Sequence, residues 1–319
     1  MIIRHPVARV TVGSRTFSSA EAAIAAVDVR LSSGGEHDAL RLVLWSTSRI
    51  ADLAPGDSLL VALGEAGDEV DVWGGEVTRA EVVEGCVVID ALSHTAQLSR
   101  TRLSLSWEDQ RVEQIVRDLV GAADIDEVDA SLTLSWFAVD TQRPVWGHLR
   151  DLASLIGAEV GASASGGVRF VPVAAAPNMH RLRRGAELVR WQLADQVVAE
   201  ARGARAYAAA SEAGASQWHW LKGDGGGGAH GATGVLAGTL RTQEAADAVA
   251  SARGARRTRR TREGTLVTCG SPEMRPGDVV VLSGVQGAVA DRWRVRGVHH
   301  RLDGAHGLHS TLRVEGAGT

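Results

Sequence analysis

Residues Ala54–Gly64 read APGDSLLVALG, and residues Arg275–Val285 read RPGDVVVLSGV. Each is a Pro-Gly-Asp turn that launches an apolar run. Proline presets φ, and glycine and aspartate tolerate the tight return. Such a turn is common, so the order around it carries the weight. Val77 lies 22 residues after Pro55, and Val298 lies 22 after Pro276. Trp73 lies 18 after its proline and Trp293 lies 17 after. The next turn glycines, Gly85 and Gly307, follow at 30 and 31, and each series closes on an alternating run, CVVIDAL and LHSTLRV. Turn, apolar strand, tryptophan strand, glycine turn, closing strand: the repeated order predicts one structural unit built twice by internal duplication.

Upstream runs extend both units. VDVRLSSGGEHDALRLVLW precedes the first and places two alternating strands around Ser32-Ser33-Gly34-Gly35, a hairpin signal. LVRWQLADQVVAEARGARAYA precedes the second. Many short strands separated by turns predict barrels or sandwiches. Between the units the period changes. Val112, Ile115, Val116, Leu119 and Val120 mark one face of a helix, with Ser106 and Asp109 as its N-terminal cap and Gly121 as its stop. Pro144 opens a second helix striped by Val145, Leu149, Leu152 and Ile156 and ended by Gly157, and the hairpin AEVGASASGGVRFVPV follows. TQEAADAVASA predicts a short helix capped by Thr242.

The expected fold is mainly β with α+β insertions, two β-barrels being related by duplication. The first barrel takes residues 1–103, the α+β insert 104–183, and the second barrel 184–216 plus 263–319. An insertion with a Gly-rich loop and a short helix takes 217–262.

The 319 residues carry 45% apolar and 23% charged side chains and a net charge of −4, so no global field draws the chain to nucleic acid or membrane. No apolar run approaches the ~20 residues needed to span a bilayer. The N-terminal MIIRHPVARVTVGS lacks the apolar core of a signal peptide, which predicts synthesis in the cytoplasm. Cys86 and Cys269 are expected to be reduced and buried.

Chemistry-bearing motifs are scarce. Ser163 and Ser165 sit in GASASGG, within a hairpin rather than a strand-to-helix elbow. The glycines at 223 and 225–228 have no following lysine and read as a flexible loop. Asp124–Asp129 (DIDEVD) lacks the central glycine and distal glutamate of a calcium loop and is expected as a solvated acidic turn. His299, His300, His306 and His309 are the best metal candidates, with His299 and His309 expected to face each other across a hairpin. Arg253, Arg256, Arg257, Arg259, Arg260 and Arg262 form a basic run without interleaved aromatics, expected as a solvated helix end paired with acidic groups of a neighbouring subunit. No catalytic, cofactor-binding or metal-binding residue is assigned, and no cofactor is expected.

The stretches LAPGDSLLVALG, VDVWGGEVTRAEVVEGCVVIDAL, RVEQIVRDLVGAA, QRPVWGHLRDLASLIGAEV with GGVRFVPV, and GSPEMRPGDVVVLSGV with WRVRGVHHRLDGAHGLHSTLRVEG resemble, in order, the phage late control gene D proteins. These are tail or baseplate hubs, related to the hub portion of VgrG-type spikes. The resemblance implies tube-protein-like barrels and a homotrimer whose six barrels match a sixfold tail tube above and a threefold spike below. A ring would also cover the unpaired strand edges that open meanders leave. Because the sequence ends soon after the second unit, the spike is expected to be a separate protein. Other baseplate and tape-measure proteins are further expected partners. Neither membrane insertion nor sequence-specific nucleic-acid binding is expected, and assembly is expected in the bacterial cytoplasm, on the baseplate of a phage tail or contractile injection particle.

Two alternatives remain at this level. One is a tail-associated cell-wall hydrolase using carboxylates among Glu108, Asp109, Glu113, Asp118 and Asp151; the other is a carbohydrate-binding tail protein using Trp218 and Trp220.

Overall fold

The computed structural model describes residues 5–173, 178–196, 205–210, 219–224, 233–235, 243–285 and 292–317. The first strand set is β1 (Pro6–Val12), β2 (Arg15–Ser18), β3 (Ile24–Ser32), β4 (Ala39–Trp45), β5 (Ser58–Glu65), β6 (Asp68–Val83) and β7 (Cys86–Leu92). A 3₁₀ turn at His94–Ser99 leads to β8 (Leu105–Arg111), α1 (Val112–Val120), β9 (Ile125–Val128), β10 (Thr133–Val139), α2 (Val145–Ile156), β11 (Ala158–Ala162) and β12 (Val168–Pro172). Then come β13 (Met179–Arg183), β14 (Leu188–Asp195), β15 (Arg205–Ala210), β16 (His219–Asp224), β17 (Thr233–Val235), α3 (Gln243–Arg259), β18 (Arg262–Cys269), β19 (Val279–Ser283), β20 (Arg292–Asp303) and β21 (Gly307–Gly316). Among the described residues no helix is long and apolar enough to cross a membrane.

Thirteen strands form one sheet. Within it the chain lays out one strand order twice. The first set reads β3-β4-β7-β6-β5-β1 and the second reads β14-β18-β21-β20-β19-β13. Two of the irregularities match as well. β6 bulges against β7 between Val77 and Arg79, and β20 bulges against β21 between Val295 and Gly297. β3 bulges against β4 between Ile24 and Ala26, and β14 bulges against β18 between Leu188 and Arg190. A bulge adds one residue to one strand and shifts everything beyond it, so coincident bulges fix a residue-by-residue correspondence. The last strand of this order differs in direction, since β1 runs antiparallel to β5 whereas β13 runs parallel to β19.

The two Pro-Gly-Asp turns share their local geometry. Gly56 and Gly277 have φ of +98° and +102°, a region that favours glycine. Asp57 Oδ2 accepts the Ala54 N–H at 2.8 Å, and Asp278 Oδ2 accepts the Arg275 N–H at 2.9 Å. Gly56 N–H donates to Val77 O at 2.9 Å, and Gly277 N–H donates to Val295 O at 2.8 Å. Val77 therefore corresponds to Val295, not to Val298 as equal counting from the prolines implies. Trp73 pairs with Val61 and Trp293 with Val280, so the two buried indoles sit two residues apart in register, on the same face of the sheet.

The two sets are not separate bodies. Gly297–Asp303 of β20 pair with Ser32–Ala26 of β3, and one apolar core runs from Ala8 and Val10 through Leu42 and Trp73 to Trp293 and Val314. A second core joins α1, α2, β8–β12 and, from α3, Ala245, Val249 and Ala250. Several expected boundaries move. β13, counted with the insert, hydrogen-bonds to β19 in the large sheet. β15, counted with the second barrel, forms a three-stranded sheet with β16 and β17. α3 extends into the arginine run as far as Arg259 and packs on the insert, while Arg262 opens β18. Ser106 and Asp109 do not cap α1: they lie in β8, which pairs with β10, and the helix begins at Val112 with Arg111 in the cap position. Gly121 and Gly157 end α1 and α2 at positive φ, as expected, and Pro144 stands just before α2.

Candidate functional site

The β20–β3 seam and the polar groups behind it tie the three parts of the molecule together. At the seam His299 faces Arg30 and reaches diagonally to Asp28, with Nε2 2.7 Å from Oδ2. One residue on, His300 is fully buried and its Nδ1 lies 2.7 Å from Ser310 Oγ. Burial pushes His300 down to about 3, so it is neutral at neutral pH.

Arg275, the first residue of the second quoted turn, reaches across to the first strand set and donates from Nη2 to Asp71 O at 2.6 Å. Asp38, between β3 and β4, is buried and accepts the Ser32 N–H at 2.8 Å. Burial pushes its carboxyl up to about 8 against the opposing pull of that hydrogen bond and of Arg275. Asp278 takes the His180 ring at 3.0 Å, and that hydrogen bond raises the His180 pKa. Arg294 donates to Gly277 O at 3.0 Å and to Glu159 Oε2 of β11 at 2.5 Å, the arginine being buried and the glutamate nearly so. On α2, Trp146 Nε1 donates to Gly35 O at 2.8 Å. Gly74 of β6 lies under the β11–β12 turn; a Cβ there would stand 2.3 Å from Ser165 O.

The residues singled out for chemistry are mostly held in such structural contacts. Ser163 and Ser165 both donate to Asp126 Oδ2 at the tip of the β11–β12 hairpin, and Glu127 pairs with Arg169 at 2.7 Å. The DIDEVD stretch thus contributes β9 rather than a free acidic turn. His309 faces Arg301, and His299 faces Thr311, so the expected His299–His309 pair does not form. His306 turns back to Asp303 Oδ1 at 3.0 Å. Among the described residues no three His, Cys, Asp or Glu side chains are grouped to hold a metal ion. Asp118 accepts from Trp107 Nε1 and Gln114, Glu113 pairs with Arg111 and Arg117, and Asp151 pairs with Arg143. Glu108 and Asp109 are exposed on β8. Arg259 pairs with Glu315 at 3.3 Å, and Arg262 pairs with Asp195 at 3.2 Å while covering the Trp293 ring at 4.5 Å. These arginines have partners in their own chain, contrary to the expectation of a neighbouring subunit. Cys269 is exposed and Cys86 half-buried, so neither is the buried thiol expected. Trp218 and the glycines at 225–228 lie outside the described residues.

Asp38, Arg275, Arg294 and Glu159 were not singled out from the sequence. Arg275 alone had a signal, its place inside the repeated turn. The others owe their burial to strands brought together from afar.

No family model and no curated protein sequence matches the chain. Solved structures do. The 43 kDa tail protein of prophage MuSo2 from Shewanella oneidensis is similar over 98% of both chains, with a TM-score of 0.69 and 13% identity. A tail protein from Neisseria meningitidis MC58 is similar over 98% of this chain and 96% of its own, with a TM-score of 0.69 and 14% identity. The Escherichia coli c3393 protein is a component of the type VI secretion system, with structural similarity to the T4 bacteriophage tail proteins gp27 and gp5. It is similar over 91% of this chain and 73% of its own, with a TM-score of 0.60 and 12% identity. At these identities the likeness is one of fold.

Proposed function

We propose that the chain is a structural protein of a phage tail or related injection particle, and within it the hub between tail tube and spike. One observation carries the reading: two strand sets with the same order and the same two bulges stand side by side in one chain. Three such chains in a ring present six similar units, which is what a threefold component needs to meet a sixfold tube. An origin by duplication accounts for coincident bulges more simply than two independent meanders do. The fold shared with prophage tail proteins over nearly the whole chain supports the same role.

In this reading the protein is a homotrimer and acts by geometry rather than catalysis. It contacts the tube protein on one side and the spike on the other. The insert built on α1, α2 and α3 braces the ring from outside the strand sets. Its proposed extent is from β8 to β12 together with α3, with β13 returned to the second unit.

Light scattering on the purified chain tests the oligomer, and three chains per particle is the expected mass. Electron microscopy of particles carrying a tag on the chain is expected to place it on the tail axis, at the end of the tube. A monomeric mass together with an off-axis position sinks the proposal.

A further inference from the structure

The seam inside one chain shows what two other strand edges of the same sheet fit. β20 is flanked by β21 along its length; its other side is taken by β19 at Arg292–Arg294 and then by β3 at Gly297–Asp303. β6 has the same arrangement up to a point. β7 flanks one side, and β5 takes the other side from Asp68 to Glu76. Beyond Glu76, among the described residues, no strand occupies the place that β3 holds beside β20. The counterpart of β3 is β14, which pairs with β18 and, among the described residues, has its other edge open.

We infer that β14 of a second copy pairs antiparallel with the Arg79–Val83 edge of β6, repeating the β20–β3 seam between chains. This rests on the trimeric reading above and names its contact. The matched bulges set the register. Arg79 corresponds to Gly297 and Val82 to His300; on the other strand Leu193 corresponds to Val29 and Gln196 to Ser32. Since Gly297 faces Ser32 and His300 faces Val29, Arg79 meets Gln196 and Val82 meets Leu193 of the next chain.

Exposure agrees. Val82 is 80% exposed, whereas its counterpart His300 is fully buried, and Val298 is buried where its counterpart Ala80 is exposed. Trp191 and Leu193 are half-buried, whereas their counterparts Val27 and Val29 are fully buried. A long apolar strand edge left open is a template for pairing with another chain, and a head-to-tail contact of this kind closes into a ring or grows without limit.

The test is disulfide trapping in a chain whose Cys86 and Cys269 are replaced by serine. Facing residues of an antiparallel pair have Cα atoms about 4.5–5.5 Å apart, within the range a disulfide spans. Val82→Cys with Leu193→Cys is expected to give, on oxidation, chain-to-chain links ending at three chains. Val82→Cys with Ala194→Cys is a one-residue slip that points the second thiol to the other face, and is expected not to link. Separately, Val82→Asp changes an exposed side chain; it is expected to keep the circular dichroism of the parent and to drop the mass from three chains to one. A trimer that fails to link at 82/193, or links equally at 82/194, overturns this seam and leaves the hub reading standing. A monomeric parent that never links overturns the seam and the trimer it rests on, and with an off-axis position on the particle the hub reading as well.

Discussion

At the scale of single residues, insert and sheet approach each other closely at two glycines. A Cβ on Gly74 would stand 2.3 Å from Ser165 O, and one on Gly166 would stand 2.3 Å from Gly74 O. These are backbone atoms of two packed elements, so neither side can yield by turning a side chain. Gly74→Ala is expected to destabilise by about 1–3 kcal/mol, the usual range for overpacking, read as a lower thermal midpoint. Gly254→Ala in α3 is the contrast: nothing lies within 4 Å of its Cβ position, and alanine is the better helix former by about 1 kcal/mol. Equal losses at both positions would show that the close approach is not real. Two of the buried titratable groups, His300 and Asp38, set pH limits. His300, held down to about 3 by burial, stays neutral in the fold while the unfolded chain takes up a proton below about 6.5. Stability therefore falls as pH drops through that window. Asp38, pushed up to about 8, keeps its proton while the unfolded chain loses one above about 4, so stability falls as pH rises from about 4 to about 8. His300→Asn is expected to flatten the acid limb of a urea-midpoint profile, and Asp38→Asn the basic limb. A profile unchanged by either substitution contradicts the burial assigned to that group.

At the scale of elements, what was legible in the sequence is what local chemistry dictates. α2 was readable because its stripe, its proline and its terminal Gly157 are all local, and it spans Val145–Ile156. The β3–β4 and β11–β12 hairpins were readable from alternation and turn glycines. The start of α1 is not legible locally: Ser106 and Asp109 fit a cap, but both lie in β8, whose pairing with β10 depends on a strand some thirty residues on. The repeat was legible as an order of elements and not as a residue alignment. Bulges and unequal connections break equal counting, so Val77 matches Val295 and the tryptophans fall out of step. Nothing local announced the seam between β20 and β3, since strand pairing at that separation is a property of the assembled sheet. α2 also fixes the β3–β4 connection through Trp146. Trp146→Phe keeps the apolar body but leaves the buried Gly35 carbonyl without its donor. The expected cost is about 1–3 kcal/mol, with hydrogen exchange at Gly35–Asp38 rising more than in the sheet. Uniform exchange across the insert would mean that the indole N–H does not anchor this loop.

At the scale of the whole molecule, the two strand sets share a core and a run of backbone pairs, and this decides how the chain comes apart. Leu31 and Val29 of β3 pack in the same cluster as Val295, Val298 and Leu312 of the second set. Opening one set would strip the β20–β3 hydrogen bonds from the other and expose apolar surface in both, so neither has a stable state alone. Separate domains in one chain usually meet across smaller, more polar surfaces and can melt independently. The insert is different, because its own core around Ile115, Leu149 and Phe170 is distinct from that of the sheet. Its ties to the sheet among the described residues include the polar contacts of Trp146 with Gly35, Glu159 with Arg294 and Arg259 with Glu315, beside a Gly34–Val160 backbone bridge and the Gly74–Gly166 contact. Native-state hydrogen exchange in rising denaturant is therefore expected to show β3, β7, β20 and β21 losing protection together, in one cooperative step. α1 and α2 are expected to open in a step of their own at lower denaturant. Charge reversal at Glu159→Lys should bring that earlier step forward while leaving the sheet's step nearly in place. If β7 and β21 instead lost protection at well-separated denaturant concentrations, the sets would be independent barrels. The seam would then be too weak a template for joining one chain to the next.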